Sequence, residues 1–380
     1  MRKALVLALL ASTLAYAGAR RLLLGGSGGG MNPVPCPAAP QLSLSLVTSN
    51  DNLNRRDGAG MVAADDGTLV LLGGWNGNGL SEWSEDGGSN FTTNSVLKST
   101  NNGASWTTVL AHKDDPPQTG AGQRWRRRHS ACWMTATVEG QKFIYVIGGD
   151  GFDTYWGSDG NGSSPYPADV WRGPLATYGA TWERMTGAAP WGSRTLQFCW
   201  FMNGALYVAG GQTSLLASSV LNDVWKSLDG GRTWIRQPDA PWSGRGSLAS
   251  QTPVFLNQAW IVGGQQYDTT SESRVFFNDI WVFDGTGWGQ IQPNPPLQAR
   301  GYHNSFVMLG RLWVGLGTVA GGGFLDDLWS TSDGRCWSLN PHPAGYADHA
   351  VSVAPLPTGK DIIIAGGNIN GAVVWKMSAP

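Results

Sequence analysis

Apolar and polar positions along this chain follow one pattern that keeps returning. Short apolar runs end in a glycine pair: TLVLLGG (68–74), FIYVIGG (143–149), ALYVAGG (205–211), AWIVGG (259–264), LWVGLG (312–317) and IIIAGG (362–367). Runs this short and continuous predict strands buried on both faces. The glycine pair predicts close approach of a neighbouring backbone. The fifth run places Leu316 where the others carry the first glycine. A further short strand precedes each run, as in TLQFCWF or HNSFVML. A hairpin follows each run, best seen in NDVWKSLDGGRTWIRQ (222–237). It recurs as NSVLKSTNNGASWTTV (94–109), ADVWRGPLATYGATWERM (168–185), NDIWVFDGTGWGQI (278–291) and DDLWSTSDGRCWSLN (326–340). A sixth copy, GAVVWKMSAP, stops at the chain end.

The repeating unit is therefore four strands, at a spacing of roughly fifty residues, with longer insertions in the first two units. One such sheet cannot bury both faces alone, so the units stack around an axis. The predicted fold is all-β, a six-bladed β-propeller of four-stranded blades spanning 42–380. The last unit lacks a fourth strand. LSLSLVTSN (42–50) alternates as a strand should and is expected to complete that blade, closing the ring. Trp225 and Trp234 then lie on third and fourth strands and pack between blades.

Composition supports this reading. The chain has 54 Gly and 20 Trp, which fits many tight turns and large buried side chains. A net charge of −1 argues against a nucleic-acid surface. At the N-terminus, Arg2 and Lys3 precede an apolar stretch ending in Ala15-Tyr16-Ala17. This predicts a secretory signal over 1–17, a Gly-rich segment over 18–41, secretion, and no membrane insertion after cleavage. Four cysteines in such a chain predict two disulfides, with three connectivities open. Cys36–Cys336 is the first expectation and Cys132–Cys199 the second. Sequons at Asn90 and Asn161 are candidate glycosylation sites.

The glycine-ended strands followed by Asn-Asp-x-Trp strands resemble kelch-type propellers over roughly 42–378. SLDGGRTW (227–234), STNNGASW (99–106) and STSDGRCW (330–337) are similar to the Asp-box hairpins of sialidase-type propellers. Asp229 is expected to serve the backbone N–H groups of its own turn.

Aligned blades bring two sets of residues to the face that carries the long loops. Arg56, Arg126, Arg127, Arg128, His129, Arg194, Arg245, Arg300, Tyr302, His303 and His349 enter the first strands. Trp75, Asp150, Gln212, Gln265 and Thr318 follow the glycine runs. One arginine per blade around one mouth suggests a ligand face. The competing reading has each Arg or His bracing loop carbonyls. Trp191 and Trp242, in matching APWGSR and APWSGR segments, and Trp125 suit either sugar stacking or capping of the core.

Three functions follow. The first is a secreted binding module that recognises a glycan or an extracellular protein through the Arg-ringed face, without a cofactor. The second is a copper-radical oxidase like galactose oxidase: RGYHNS is similar to that family's Tyr-His pair, which implies Tyr302, His303 and His349 as copper ligands. No Tyr–Cys pair completes the set. The third is a sialidase-like hydrolase, for which arginines are present but no paired carboxylates are legible.

Overall fold

Each glycine-ended apolar run forms the second strand of a four-stranded antiparallel sheet. The computed structural model describes residues 36–49, 53–80, 82, 84–85, 90–151, 167–213, 219–247, 251–268, 273–292, 295–340, 347–367 and 372–380. The expected leader and the sequon at Asn161 fall outside the described residues.

Blade 1 comprises Gly60–Ala63, Leu69–Leu72, Val96–Ser99 and Thr107–Leu110. Blade 2 comprises Cys132–Val138, Gln141–Ile147, Val170–Pro174 and Glu183–Thr186. Blade 3 comprises Phe198–Met202, Ala205–Ala209, Val224–Ser227 and Ile235–Gln237. In blade 4 a short first strand, Val254–Phe255, meets an extended hairpin of Gln258–Asp268 and Ser273–Phe283, then Trp288–Gln292. Blade 5 comprises Asn304–Met308, Arg311–Gly315, Leu328–Thr331 and Trp337–Asn340. Blade 6 comprises Val351–Pro355, Asp361–Gly366 and Val374–Ser378. Its outer position is held by Ser43–Thr48, which sets Leu44 opposite Met377 and Leu46 opposite Trp375. The described residues contain strands and short 3₁₀ turns but no α-helix.

Six apolar layers separate the blades, one for each adjacent pair. The layer between blades 2 and 3 joins Cys132, Met134 and Tyr145 to Cys199, Val208 and Trp234. Trp225 packs against the same layer. The hairpin tryptophans are thus held between sheets, where each buries about 150–250 Å².

The glycine pairs make the ring continuous. The second glycine of each run donates its N–H to a carbonyl at the entry of the next blade. Gly74 reaches Arg128, Gly149 reaches Arg194, Gly211 reaches Arg245, Gly264 reaches Arg300, Gly317 reaches Asp348 and Gly367 reaches Arg56, at 2.8–3.1 Å. A Cβ on Gly211 would lie 2.6 Å from the Thr195 carbonyl oxygen, so the approach excludes any side chain. The first position needs a left-handed backbone. Leu316 still adopts it, with φ 62°, and accepts the strain that glycine avoids.

Candidate functional site

The arginines that enter the first strands turn inward. Arg194, Arg245 and Arg300 are each 1% exposed, as is Arg128. In each case the guanidinium grips an aspartate in its own blade with both ends. Arg128 binds Asp169 at 2.6 and 3.0 Å, Arg194 binds Asp223 at 2.7 and 2.8 Å, and Arg300 binds Asp327 at 2.5 and 2.6 Å. Arg245 grips Asp279 in the same way. Each also donates to the carbonyl at the end of its second strand: Gly148, Gly210, Gly263 or Leu316. The aspartate in turn accepts the indole N–H of Trp171, Trp225, Trp281 or Trp329, at 2.7–2.8 Å.

This Arg–Asp–Trp brace explains the Asp-x-Trp of the repeat. It pins the third strand to the entry segment, and every charge is paired and hydrogen-bonded, as burial requires. In blade 1 Ser95 stands in place of the aspartate, and Arg56 bonds to it and to the carbonyls of Gly73 and Leu53. Burial lowers its pKa to about 10. Arg56, Arg194, Arg245 and Arg300 therefore do not form a ligand-facing ring; their side chains are consumed by the scaffold. Arg126 is the exception, with an exposed side chain that pairs with Asp115 at 3.3 Å.

The three unexplained tryptophans also point inward. Trp125, Trp191 and Trp242 are 0%, 4% and 2% exposed and lie in the layers between blades. The APW-x-x-R spacing sets Trp191 against Arg194 and Trp242 against Arg245, with guanidinium-to-ring distances of 5.4 and 5.8 Å. They cap the core rather than offer a stacking surface.

The residues after the glycine runs do assemble at the mouth. Trp75, Asp150, Gln212, Gln265 and Thr318 form isolated bridges with Asp57, His129, Thr195, Gly246 and Gly301. Just inside them runs a chain of backbone hydrogen bonds around the axis. Ser247 donates to Leu196, Leu196 to Ser130, Ser130 to Gly58, Gly58 to Ala350 and Ala350 to Tyr302. Ser130, Leu196, Tyr302 and Ala350 hold positive φ of 51–58° to make these contacts. Gln212 and Gln265 are fully buried within this belt.

On one side of the mouth, His129 lies 6.2 Å from Trp75 and 3.5 Å from Asp150. Burial would lower its pKa, but hydrogen bonding to Asp150 and the charges of Asp150 and Asp57 raise it overall. On the other side, a pocket of about 460 Å³ opens between blades 4, 5 and 6. Arg274 and Phe276 from the extended hairpin of blade 4 form one wall. Thr318–Gly322 and Phe324 of blade 5 form another, and His349 from the entry to blade 6 closes it. Phe324 is 42% exposed. Its ring stacks on His349 with centroids 4.8 Å apart, and the Tyr302 ring lies 5.8 Å from the same histidine. Arg274 sits over the Tyr302 ring at 5.6 Å. Burial, then the charges of Arg274 and Arg55, lower His349 to about 4.

His349 thus lines the pocket with the Tyr302 ring packed against it, but His303 does not join them. It is 2% exposed and packs beside Gly263, between blades 4 and 5. Burial, then Arg300, lowers its pKa to about 3. Among the described residues no three His, Cys, Asp or Glu side chains converge to hold a metal. Tyr302, His303 and His349 do not fit the copper set, and no oxidase step is derived from them.

Cys132 and Cys199 are bonded across the first strands of blades 2 and 3, with Cα atoms 6.2 Å apart. Cys36 and Cys336 are also each disulfide-bonded. This state is compatible with an extracellular location. Among the described residues no helix is long and apolar enough to cross a membrane. At the first sequon, the Asn90 side-chain nitrogen donates to Asp114 at 2.6 Å, so the atom that would carry a glycan is already engaged. Asp229 accepts from the backbone N–H groups of Arg232 and Thr233 at 3.0 and 2.9 Å, which makes it a turn residue.

No family model and no curated protein matches the chain. Among solved structures, that titled "Structure of YjhT" is similar, with 15% identity and a TM-score of 0.59 over 84% of this chain and 93% of that one. The shared feature is the six-bladed β-propeller fold. The kelch and Asp-box likenesses are resemblances of motif.

The sequence did not single out Arg274, Phe276 or Phe324 for this site. Their only signals are interruptions of the repeat: a long blade 4 hairpin and the glycine run 321–323 before Phe324.

Proposed function

We propose that this chain is a secreted saccharide-binding propeller whose ligand sits in the mouth pocket between blades 4, 5 and 6. One observation carries the reading: an aromatic ring, Phe324, stands substantially exposed in the wall of a pocket of about 460 Å³. Pockets of that size suit small ligands, and an exposed ring offers a flat apolar face for the C–H face of a sugar. Thr318 and His349 supply polar groups beside it. The buried arginine braces hold the loops that bear these groups, which is how a rigid scaffold presents a loop-built site. The reading assigns binding and no chemical step.

The test is a glycan array probed with the wild type and with a Phe276→Ala/Phe324→Ala double variant of matched melting temperature. Saccharide binding by the wild type that disappears in the variant supports the proposal. Identical profiles, or no saccharide bound by the wild type, contradict it.

A further inference from the structure

A second cavity, of about 340 Å³, is walled by the first strands of the blades. All six strands reach it, through Ala63, Thr135, Phe201, Val254, Val307 and Val353. First strands surround the axis of a propeller, so this cavity is the axial channel. It shares no lining residue with the mouth pocket. The residues of the hydrogen-bonded belt at the mouth each precede the first strand of their blade, whereas the channel is lined from within those strands. The belt therefore lies between the two cavities.

The channel combines apolar walls with neutral polar groups. Phe201, Val254, Val307 and Val353 pack against the layers between blades but remain only half-buried. The rest of their surface is left to the channel. Its polar side chains are the hydroxyls of Thr135 and Ser305 and the amides of Gln251 and Asn304. The Gln251 amide oxygen accepts the Thr135 backbone N–H at 3.4 Å, which brings that amide beside blade 2. Each first strand is also the inner edge of its sheet, so peptide groups add neutral donors and acceptors. Among the described residues, none that lines the channel is charged. A charged ligand would lose hydration there and meet no counter-charge. An uncharged one covers apolar wall and keeps its hydrogen bonds.

We infer that the axial channel is a second binding site, for a small uncharged alcohol with an apolar body. The body covers Phe201, Val254, Val307 and Val353, and the hydroxyl bonds to Thr135, Ser305 or Gln251. A cavity of this volume, with apolar walls and a few polar groups, has the usual form of a small-molecule site. The inference is independent of the saccharide reading, because the two sites share no residue.

The experiment titrates the protein with benzyl alcohol, toluene, benzoate and benzylammonium, followed by calorimetry and ligand-observed NMR. The wild type should bind benzyl alcohol about fivefold more tightly than toluene, the range of one neutral hydrogen bond. Benzoate and benzylammonium should bind about tenfold or more weakly than the alcohol, since each must bury a charge unpaired. A Thr135→Val/Ser305→Ala double variant should remove the preference for the alcohol while leaving toluene binding unchanged. Val307→Phe narrows the channel and should weaken both neutral ligands. Melting temperature checks that each variant is folded. Phe324→Ala, at the mouth, should alter none of these affinities. Absence of benzyl alcohol binding by the wild type, benzoate or benzylammonium bound as tightly as the alcohol, or a preference that survives the double variant overturns the inference. So does loss of benzyl alcohol binding in Phe324→Ala, which would place the alcohol in the mouth pocket instead.

Discussion

Replacing Arg194 by lysine separates a brace from a ligand contact in one variant. The native guanidinium makes four hydrogen bonds: to both Asp223 oxygens at 2.7 and 2.8 Å, to the Gly210 carbonyl at 3.0 Å and to the Trp191 carbonyl at 2.5 Å. A lysine ammonium on a single stem keeps the charge but cannot span a carboxylate and two carbonyls at once. Losing two charge-assisted bonds at about 1.5 kcal/mol or more each predicts a destabilisation of about 3–4 kcal/mol. For a domain of this size that corresponds to a fall in Tm of roughly 4–6 °C. Asp223 reports the same loss. Burial pushes its pKa up, but Arg194 and Trp225 outweigh this and hold it below the usual carboxylate range. In Arg194→Lys it should rise toward the unfolded value, so the stability gap between wild type and variant should narrow as pH falls below about 4. The assay is calorimetric melting at pH 7, followed by titration of the folded protein with whichever saccharide the wild type binds. The brace reading requires a lowered Tm and an unchanged affinity. An unchanged Tm with lost affinity would refute it and return the arginine to the ligand face.

Other perturbations test the scaffold. Removing residues 42–50 strips the outer strand from blade 6 and exposes its edge, so the domain should melt far below the wild type; an unchanged Tm would show that this strand contributes little. Cys199→Ser opens the Cys132 bridge, which spans 67 residues, and should cost about 4 kcal/mol by loop entropy; denaturant titration would measure it, and no change would mean that packing alone holds blades 2 and 3. At Asp229, burial pushes the carboxyl pKa up, but hydrogen bonds from Thr233, Ser227 and Arg232 hold it at about 2. Because that lies below the unfolded value of about 3.8, Asp229 contributes stability in full above pH ~4 and loses it as pH falls through 2. The gap in urea midpoint between wild type and Asp229→Ala should therefore narrow from pH 5 to pH 2, and a constant gap would contradict the turn role.

The blades were legible because their signals are local. Glycine pairs and hairpin tryptophans repeat at fixed offsets, and each offset has one physical cause. The arginines were harder because one residue type serves two roles. The deciding sign lay in the same repeat: Asp169, Asp223, Asp279 and Asp327 each stand two residues before a brace tryptophan. Four aspartates at fixed offsets, matched to four arginines, amount to paired charges, and in a chain this poor in charge such pairs belong inside. The pocket was not legible for the opposite reason. Arg274, Phe324 and His349 come from three blades, and the first two come from segments that break the repeat, so no periodicity links them. His303 illustrates the same limit: adjacent to Tyr302 in sequence, it is buried beside Gly263 in the layer between blades, because the left-handed backbone of Tyr302 turns the chain just before the strand.

Hydrogen exchange with and without a saturating saccharide that the wild type binds tests the account most directly, since it reports on every loop at once. The account predicts new protection confined to 274–276, 301–302, 318–324 and 349, with the brace arginines and the first strands unchanged. Protection centred on the opposite end of the axis or on the outer strands, with none at Arg274 or Phe324, would contradict it.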